Sequence, residues 1–308
     1  MSHFTDALAD AVISRRTPVC VGLDPRWNQL PAPLAEAHVD STAGRAAAYR
    51  EFCRGVIDAV ADLVPVVKPQ SAFFEELGPV GVTALVDVIA HAQQRGLLVI
   101  LDAKRNDIGS TAEAYARGML GRDAAPWRGD ALTVSPYLGE DSLTPFVEVA
   151  QQRAAGLFVL VKTSNPGGGL LQDLTADGQT VYRHTAALVE RMSAETAGRH
   201  GYGIVGAVAG ATYPEQLVEL RSAMPHTWFL VPGYGSQGAG AADVAGAFDD
   251  RGLGAVINNS RALIFAYRQG EYAERFGEAK WQDAVAAATT AMIDELAAGS
   301  SAGQLRSS

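Results

Sequence analysis

Leu97-Leu98-Val99-Ile100-Leu101 runs without a break into Asp102-Ala103-Lys104-Arg105-Asn106-Asp107-Ile108-Gly109-Ser110-Thr111. The first five residues are apolar whichever way an extended chain turns them, the mark of a parallel strand covered on both faces. The next six carry four charges. Residues two apart on a strand point to one side, so Asp102 and Lys104 are expected to share a pocket. Asp107 falls past the strand, at or near the start of the next helix. A plainer reading of the same stretch is a solvated cluster of charge at a strand end, with Ser110 and Thr111 capping a helix.

The unit recurs. Short apolar runs stand at 18–23, 63–67, 97–101, 131–134, 157–161, 203–208, 227–231 and 254–257. Helical patterns separate them, for example at 80–94, 140–153 and 181–198. Eight alternations of buried strand and helix give a (β/α)8 barrel, with an open doubly wound sheet as competitor. Residues 25–50 read as a longer connection before a helix at 46–62. No Pro/Ser-rich linker divides the chain, so residues 1–296 are expected to form a single barrel domain. The small, polar stretch 297–308 is expected to be disordered.

Composition narrows the function classes. Of 308 residues, 48% are hydrophobic and 19% charged, enough apolar material for one large core. A net charge of −9 argues against nucleic acid as a partner, which needs a basic field. It leaves room for a small anionic substrate, which needs only one or two local cations. Two cysteines, Cys20 and Cys53, exclude a disulfide framework and a Cys-rich zinc site, and read as inert core thiols. The six histidines form no pair at metal-ligand spacing. The first residues lack a secretory pattern and no window approaches 18 apolar residues, so a soluble cytoplasmic protein is expected.

A barrel carries its chemistry at the C-terminal ends of the strands. The polar residues there are Asp24, Lys68, Asp102 with Lys104 and Asp107, Ser135, Thr163 with Ser164, 232–238, and 258–261. Charges crowd the ends of the first three runs, and crowding of this kind is costly without a function because each charge must be desolvated and paired. After the seventh run, Pro232-Gly233-Tyr234-Gly235-Ser236-Gln237-Gly238 is expected to expose backbone N–H groups, and Arg261 follows the eighth. Loops after strands seven and eight form the recurring phosphate site of such barrels, and Arg offers a bidentate fork. Thr163-Ser164-Asn165-Pro166-Gly167-Gly168-Gly169 reads either as a flexible turn or as a mobile loop whose hydroxyl meets a polar ring, with Leu170 and Leu171 as its apolar contacts.

With these residues in hand, the chain resembles the orotidine 5′-phosphate decarboxylase family, in its longer-chain bacterial subgroup. The resemblance runs from Val21-Gly22-Leu23-Asp24-Pro25 to Ser260-Arg261. Asp102-x-Lys104-x-x-Asp107-Ile108-Gly109-x-Thr111 is the specific signature, and Lys68-Pro69-Gln70, Ser164-Asn165-Pro166-Gly167 and the segment 232–238 follow in the family's order. The resemblance implies loss of CO2 from orotidine 5′-phosphate to give UMP, with no metal or organic cofactor. It implies that Lys104 donates the proton to C6 and that Asp102 lies beside the substrate carboxylate. Lys68 and Asp107 would complete an alternating array, with Asp107 and Thr111 supplied by the other subunit of a homodimer. Asp24 and Lys68 would contact ribose hydroxyls, Ser164 the pyrimidine edge, and Gln237 both pyrimidine and phosphate. Arg261 and the backbone near Gly235 and Ser260 would hold the phosphate, with Pro232 and Tyr234 beside the substrate. Asn106 stands where the subgroup usually has glycine, a place where Asn's tolerance of left-handed backbone is expected to preserve the turn.

Two other functions fit parts of the pattern. Related barrels with an Asp-x-Lys-x-x-Asp segment use Mg2+ to handle sugar phosphates, and a non-catalytic nucleotide-phosphate binder could share the scaffold. A Schiff-base aldolase fits less well, because a lysine between carboxylates stays protonated.

Overall fold

A computed structural model describes residues 3–235 and 238–306. Eight parallel strands close into a barrel: β1 (Val19–Leu23), β2 (Val66–Pro69), β3 (Leu98–Arg105), β4 (Ala131–Val134), β5 (Gly156–Lys162), β6 (Val205–Ala209), β7 (Phe229–Val231) and β8 (Ala255–Asn259). Each strand pairs with its sequence neighbour, and β1 pairs with β8 to shut the cylinder. Every residue of β1, β2, β4, β6, β7 and β8 is buried, as a wall wrapped by helices requires. The strand runs expected from sequence all fall on these elements. The run at 63–67 is displaced toward 66–69 because Pro65 has no N–H for the ladder; its carbonyl instead accepts from Leu98 N at 3.1 Å.

The helices bury one stripe each. In α4 (Gly109–Met119) the buried residues are Ala112, Ala116 and Met119, spaced by four and three. α2 (Thr42–Val60) starts earlier than its apolar pattern because Ser41 Oγ accepts from Gly44 N at 3.1 Å, an N-cap that recruits a polar turn. α1 (Phe4–Arg15) packs Phe4 edge-on against Phe158 of β5 at 6.3 Å between ring centroids. α3 (Gly78–Gln94), α5 (Glu140–Gln152), α6 (Val181–Ala194) and α7 (Pro214–Ala223) follow their strands in turn.

The C-terminal segment differs from expectation. α8 (Arg261–Ile264) follows β8, and α9 (Trp281–Gly299) then packs on α2 through Trp281 and Phe52, whose ring centroids lie 5.0 Å apart. The segment 297–308, expected to be disordered, continues α9 to Gly299 and winds into a 3-10 turn at Ser301–Arg306. Ala302 and Leu305, three apart on one edge of that turn, are both buried. Ser301 Oγ donates to Asp249 O at 2.8 Å and Arg306 pairs with Asp294 at 2.5 Å. Small and polar composition hid two apolar anchors at the right spacing. Ser307 and Ser308 lie outside the described residues. Among the described residues no helix is long and apolar enough to cross a membrane.

Leu305→Ala is expected to cost about 2 kcal/mol by removing a buried aliphatic side chain. The urea midpoint of unfolding measures it, and a midpoint equal to that of the unsubstituted chain would show that the terminal turn anchors nothing.

Candidate active site

At the end of β3 the Asp102 carboxylate is buried and accepts four hydrogen bonds. Lys68 Nζ donates to Oδ2 at 2.6 Å and Gln70 Nε2 to the same oxygen at 3.1 Å. Lys104 Nζ donates to Oδ1 at 2.6 Å and Thr133 Oγ1 at 2.9 Å. Burial by itself would raise the Asp102 carboxyl, but the charges and hydrogen bonds of the two lysines overrule it and hold it well below 3.8. Burial would likewise lower Lys68; the charges of Asp102 and Asp24 reverse this and raise it above 10.5. The two ammonium groups differ in access. The Lys68 side chain is 6% exposed and that of Lys104 is 47% exposed, so Lys104 is the cation that a ligand can reach.

The shared pocket for Asp102 and Lys104 is as expected, but a regular strand is not what makes it. Lys104 has φ 45°, in the left-handed region, and the β3–β4 register shifts between Leu101 and Arg105. A non-glycine residue held there costs about 1–3 kcal/mol. Asn106 is absent from the described positive-φ residues; the left-handed positions flanking it are Lys104 and Gly109.

A cavity of about 480 Å3 opens over this array, with Lys68, Asp102, Lys104 and Thr133 on one wall and Ser164 and Pro232 among the residues facing them. Ser164 owes its place to Gly210, where a Cβ would lie 2.8 Å from both Ser164 N and Cα, and Thr212 Oγ1 donates to Ser164 O at 3.2 Å. The loop beyond Ser164 is tethered by Lys162, which is buried, pairs with Asp173, and lies 4.5 Å from the Tyr213 ring centroid and 5.3 Å from that of Tyr182. Leu170 at the loop tip is 85% exposed.

Asp24 stands near Lys68, with Oδ1 buried and without a hydrogen-bond partner among the described residues. Ser260 Oγ donates to Gly22 O at 3.3 Å across the β1–β8 seam. A second cavity, about 580 Å3, is lined by both Gly235 and Arg261. The glycine loop corrects one expectation. Gly233, Gly235 and Gly238 do adopt positive φ, but Gly235 N donates to Ala239 O and Gly238 N to Gly235 O, both at 2.9 Å. Those amides close the turn instead of facing a ligand. The Tyr234 side chain is also placed otherwise than expected: it is buried, lines neither cavity, and is pushed up by burial and by Glu295 on α9. Gln237 lies outside the described residues.

Within one chain, Asp107 and Thr111 are not joined to the array. Asp107 Oδ1 accepts from Ile108 N at 2.8 Å, and Thr111 is exposed in the first turn of α4. Two residues were not singled out from sequence. Thr133 sits inside an apolar run and Lys162 ends one; the only sign of either was a polar residue where the run should stay apolar. Cys20 and Cys53 are buried, and burial pushes the Cys20 thiol up to about 12. Among the described residues no group of three or more His, Cys, Asp or Glu side chains is gathered to hold a metal.

Comparison with known proteins agrees with this geometry. The model of the orotidine 5′-phosphate decarboxylase / HUMPS family matches residues 17–276. The chain is 57% identical over 303 residues to an orotidine 5′-phosphate decarboxylase of Rhodopirellula baltica, covering 96% of this chain and 99% of that one. It is 46% identical over 264 residues to the Deinococcus radiodurans protein of the same name, covering 85% and 89%. The structure of Leishmania donovani OMP decarboxylase superposes with a TM-score of 0.73 at 33% identity, covering 96% of this chain and 98% of that one. With its barrel, its strand-end array and these relatives, the chain belongs to the orotidine 5′-phosphate decarboxylase / HUMPS family.

Proposed function

We propose that this protein removes CO2 from orotidine 5′-phosphate to give UMP in the cytoplasm, using neither metal nor organic cofactor. The observation that carries the reading is a single buried carboxylate between two ammonium groups, of which only Lys104 opens broadly to the cavity. The C6–carboxylate bond breaks, its electron pair stays on C6, and the Lys104 ammonium delivers a proton there, leaving the amine. No carbonyl adjoins C6 to delocalise that pair, so the enzyme has to lower the barrier by on the order of 20 kcal/mol. A fixed cation beside the developing charge supplies stabilisation that water provides only after reorganising. Asp102 keeps Lys104 aimed through one oxygen, with its second oxygen tied to Lys68.

The rest of the mouth binds. The unpartnered Asp24 oxygen suits a ribose hydroxyl beside Lys68, and Ser164 and Pro232 suit the pyrimidine. Arg261, with Ser260 and Gln237, takes the phosphate; with the Gly235 amide turned inward, the guanidinium carries more of that task. Phosphate binding is remote from the reacting bond and can drive ordering of the loop that carries Ser164 and Leu170. Asp107 and Thr111 act from a second copy in a homodimer, a role supported by the exposed Ile108, Tyr137 and Leu138 on the same and neighbouring strand-end loops. The Mg2+-dependent sugar-phosphate reading is disfavoured by the donor set, since both Asp102 oxygens already accept from ammonium groups.

Loss of absorbance of orotidine 5′-phosphate, followed with EDTA present, tests the reaction; a requirement for added Mg2+ would favour the sugar-phosphate alternative. Lys104→Ala is expected to abolish turnover while UMP still binds, and near-normal turnover would remove Lys104 as the proton donor. Arg261→Ala is expected to lower kcat/KM by several orders of magnitude, with partial recovery on adding guanidinium. An unaffected rate would place the phosphate elsewhere.

The array also fixes a pH dependence of stability. Asp102 has a native pKa below its ordinary 3.8, so its contribution is full above that value and is lost as pH falls through the depressed one. Lys68, raised above 10.5, contributes fully below that value and loses its share as pH rises through the raised one. Between pH 5 and pH 2, conditions set by the ordinary carboxylate range, the unsubstituted chain should lose more stability than Asp102→Asn. Parallel urea titrations in that window would contradict the assignment.

A further inference from the structure

We propose that Thr133 is a positioning residue for the Asp102–Lys104 pair, a role that rests on the reading of Lys104 as proton donor. The β3–β4 ladder aligns Leu101 with Leu132 and Arg105 with Val134, so residues 102, 103 and 104 lie opposite Thr133 alone. In that bulge two consecutive amides turn to the same β4 side chain: Thr133 Oγ1 accepts from Ala103 N at 3.1 Å and from Lys104 N at 2.9 Å. With both lone pairs so used, its hydrogen is left to one acceptor, and it donates to Asp102 Oδ1 at 2.9 Å.

One oxygen thus ties together the left-handed backbone of Lys104 and the carboxylate oxygen to which Lys104 Nζ is bonded. Thr133 is 1% exposed, which keeps water from substituting for it. Although it lines the cavity, its hydroxyl is saturated by the chain and has nothing left to offer a substrate. It acts through Lys104 and Asp102, setting where the ammonium points. A displacement of about 1 Å at a reacting group can lower a rate on the order of 10²-fold.

Thr133→Val keeps the shape and deletes the hydroxyl; Thr133→Ser keeps the hydroxyl and deletes a methyl. The expected result for Val is a kcat lower by about 10²-fold with KM and UMP affinity within about threefold, since the loss falls on the reacting geometry. Ser is expected to stay within about threefold of the unsubstituted enzyme. Thermal melts establish that each variant is folded, and Thr133→Ala supplies the same deletion if Val is not. A hydroxyl-deleted variant with unchanged kcat, a Ser variant impaired as much as Val, or a loss confined to KM overturns the assignment. Lys104→Ala assayed alongside separates the two readings. If it is inactive and Val is fully active, only the role of Thr133 fails; if it remains active, the proton-donor reading fails and this one with it.

Discussion

One carboxylate, that of Asp102, is kept ionised almost out of reach of water, and the mouth of the barrel is arranged around that requirement. Desolvation works against the charge, and two ammonium groups at 2.6 Å outweigh it. The bargain is mutual. A lysine as enclosed as Lys68 would shed its proton without Asp102 and Asp24, and it is instead held more firmly protonated than a lysine in water. Neutral partners would leave the same space as an apolar pocket with no field. Charge of alternating sign gives a field whose direction is fixed by the barrel wall.

The components come from different strand ends, so their relative positions are set by the barrel wall. Lys68 ends β2, Asp102 and Lys104 end β3, and Thr133 lies on β4. Ser164 follows β5 and Arg261 follows β8. A rigid wall and a tethered loop divide the work. The array needs no movement to be in place, whereas Ser164 sits on a segment anchored by Lys162 and Asp173 at its base and open to solvent at Leu170.

Much of this was legible in the chain because burial on both faces of a parallel strand forces uninterrupted apolar runs, and strand ends mark themselves by an abrupt change to charge. Leu97–Leu101 followed by Asp102 shows both signals. What escaped were features that local alternation cannot encode. The bulge opposite Thr133 is invisible because spacing by two already put Asp102 and Lys104 on one side; the correct conclusion had a different geometric cause. Glycines at 233, 235 and 238 announced positive φ, but not which amides the turn would consume. Tyr234 read as part of the binding loop, while burial turned its ring away from both cavities. At the C-terminus, Ala302 and Leu305 were too few to outweigh their polar neighbours in composition, yet their spacing on a 3-10 turn suffices to dock the segment.

The seam between β1 and β8 has a kinetic meaning. All other strand pairs join consecutive strands, but this one brings together residues 238 positions apart, Cys20 with Asn258 and Gly22 with Ser260. Its loop-closure entropy is the largest among the barrel's strand pairs, and it joins the strand that precedes Asp24 to the strand that precedes Arg261. The lysine–aspartate array itself lies on β2 to β4, away from this seam. Contact between residues so far apart in sequence slows folding, so this seam weighs most on how fast the cylinder closes.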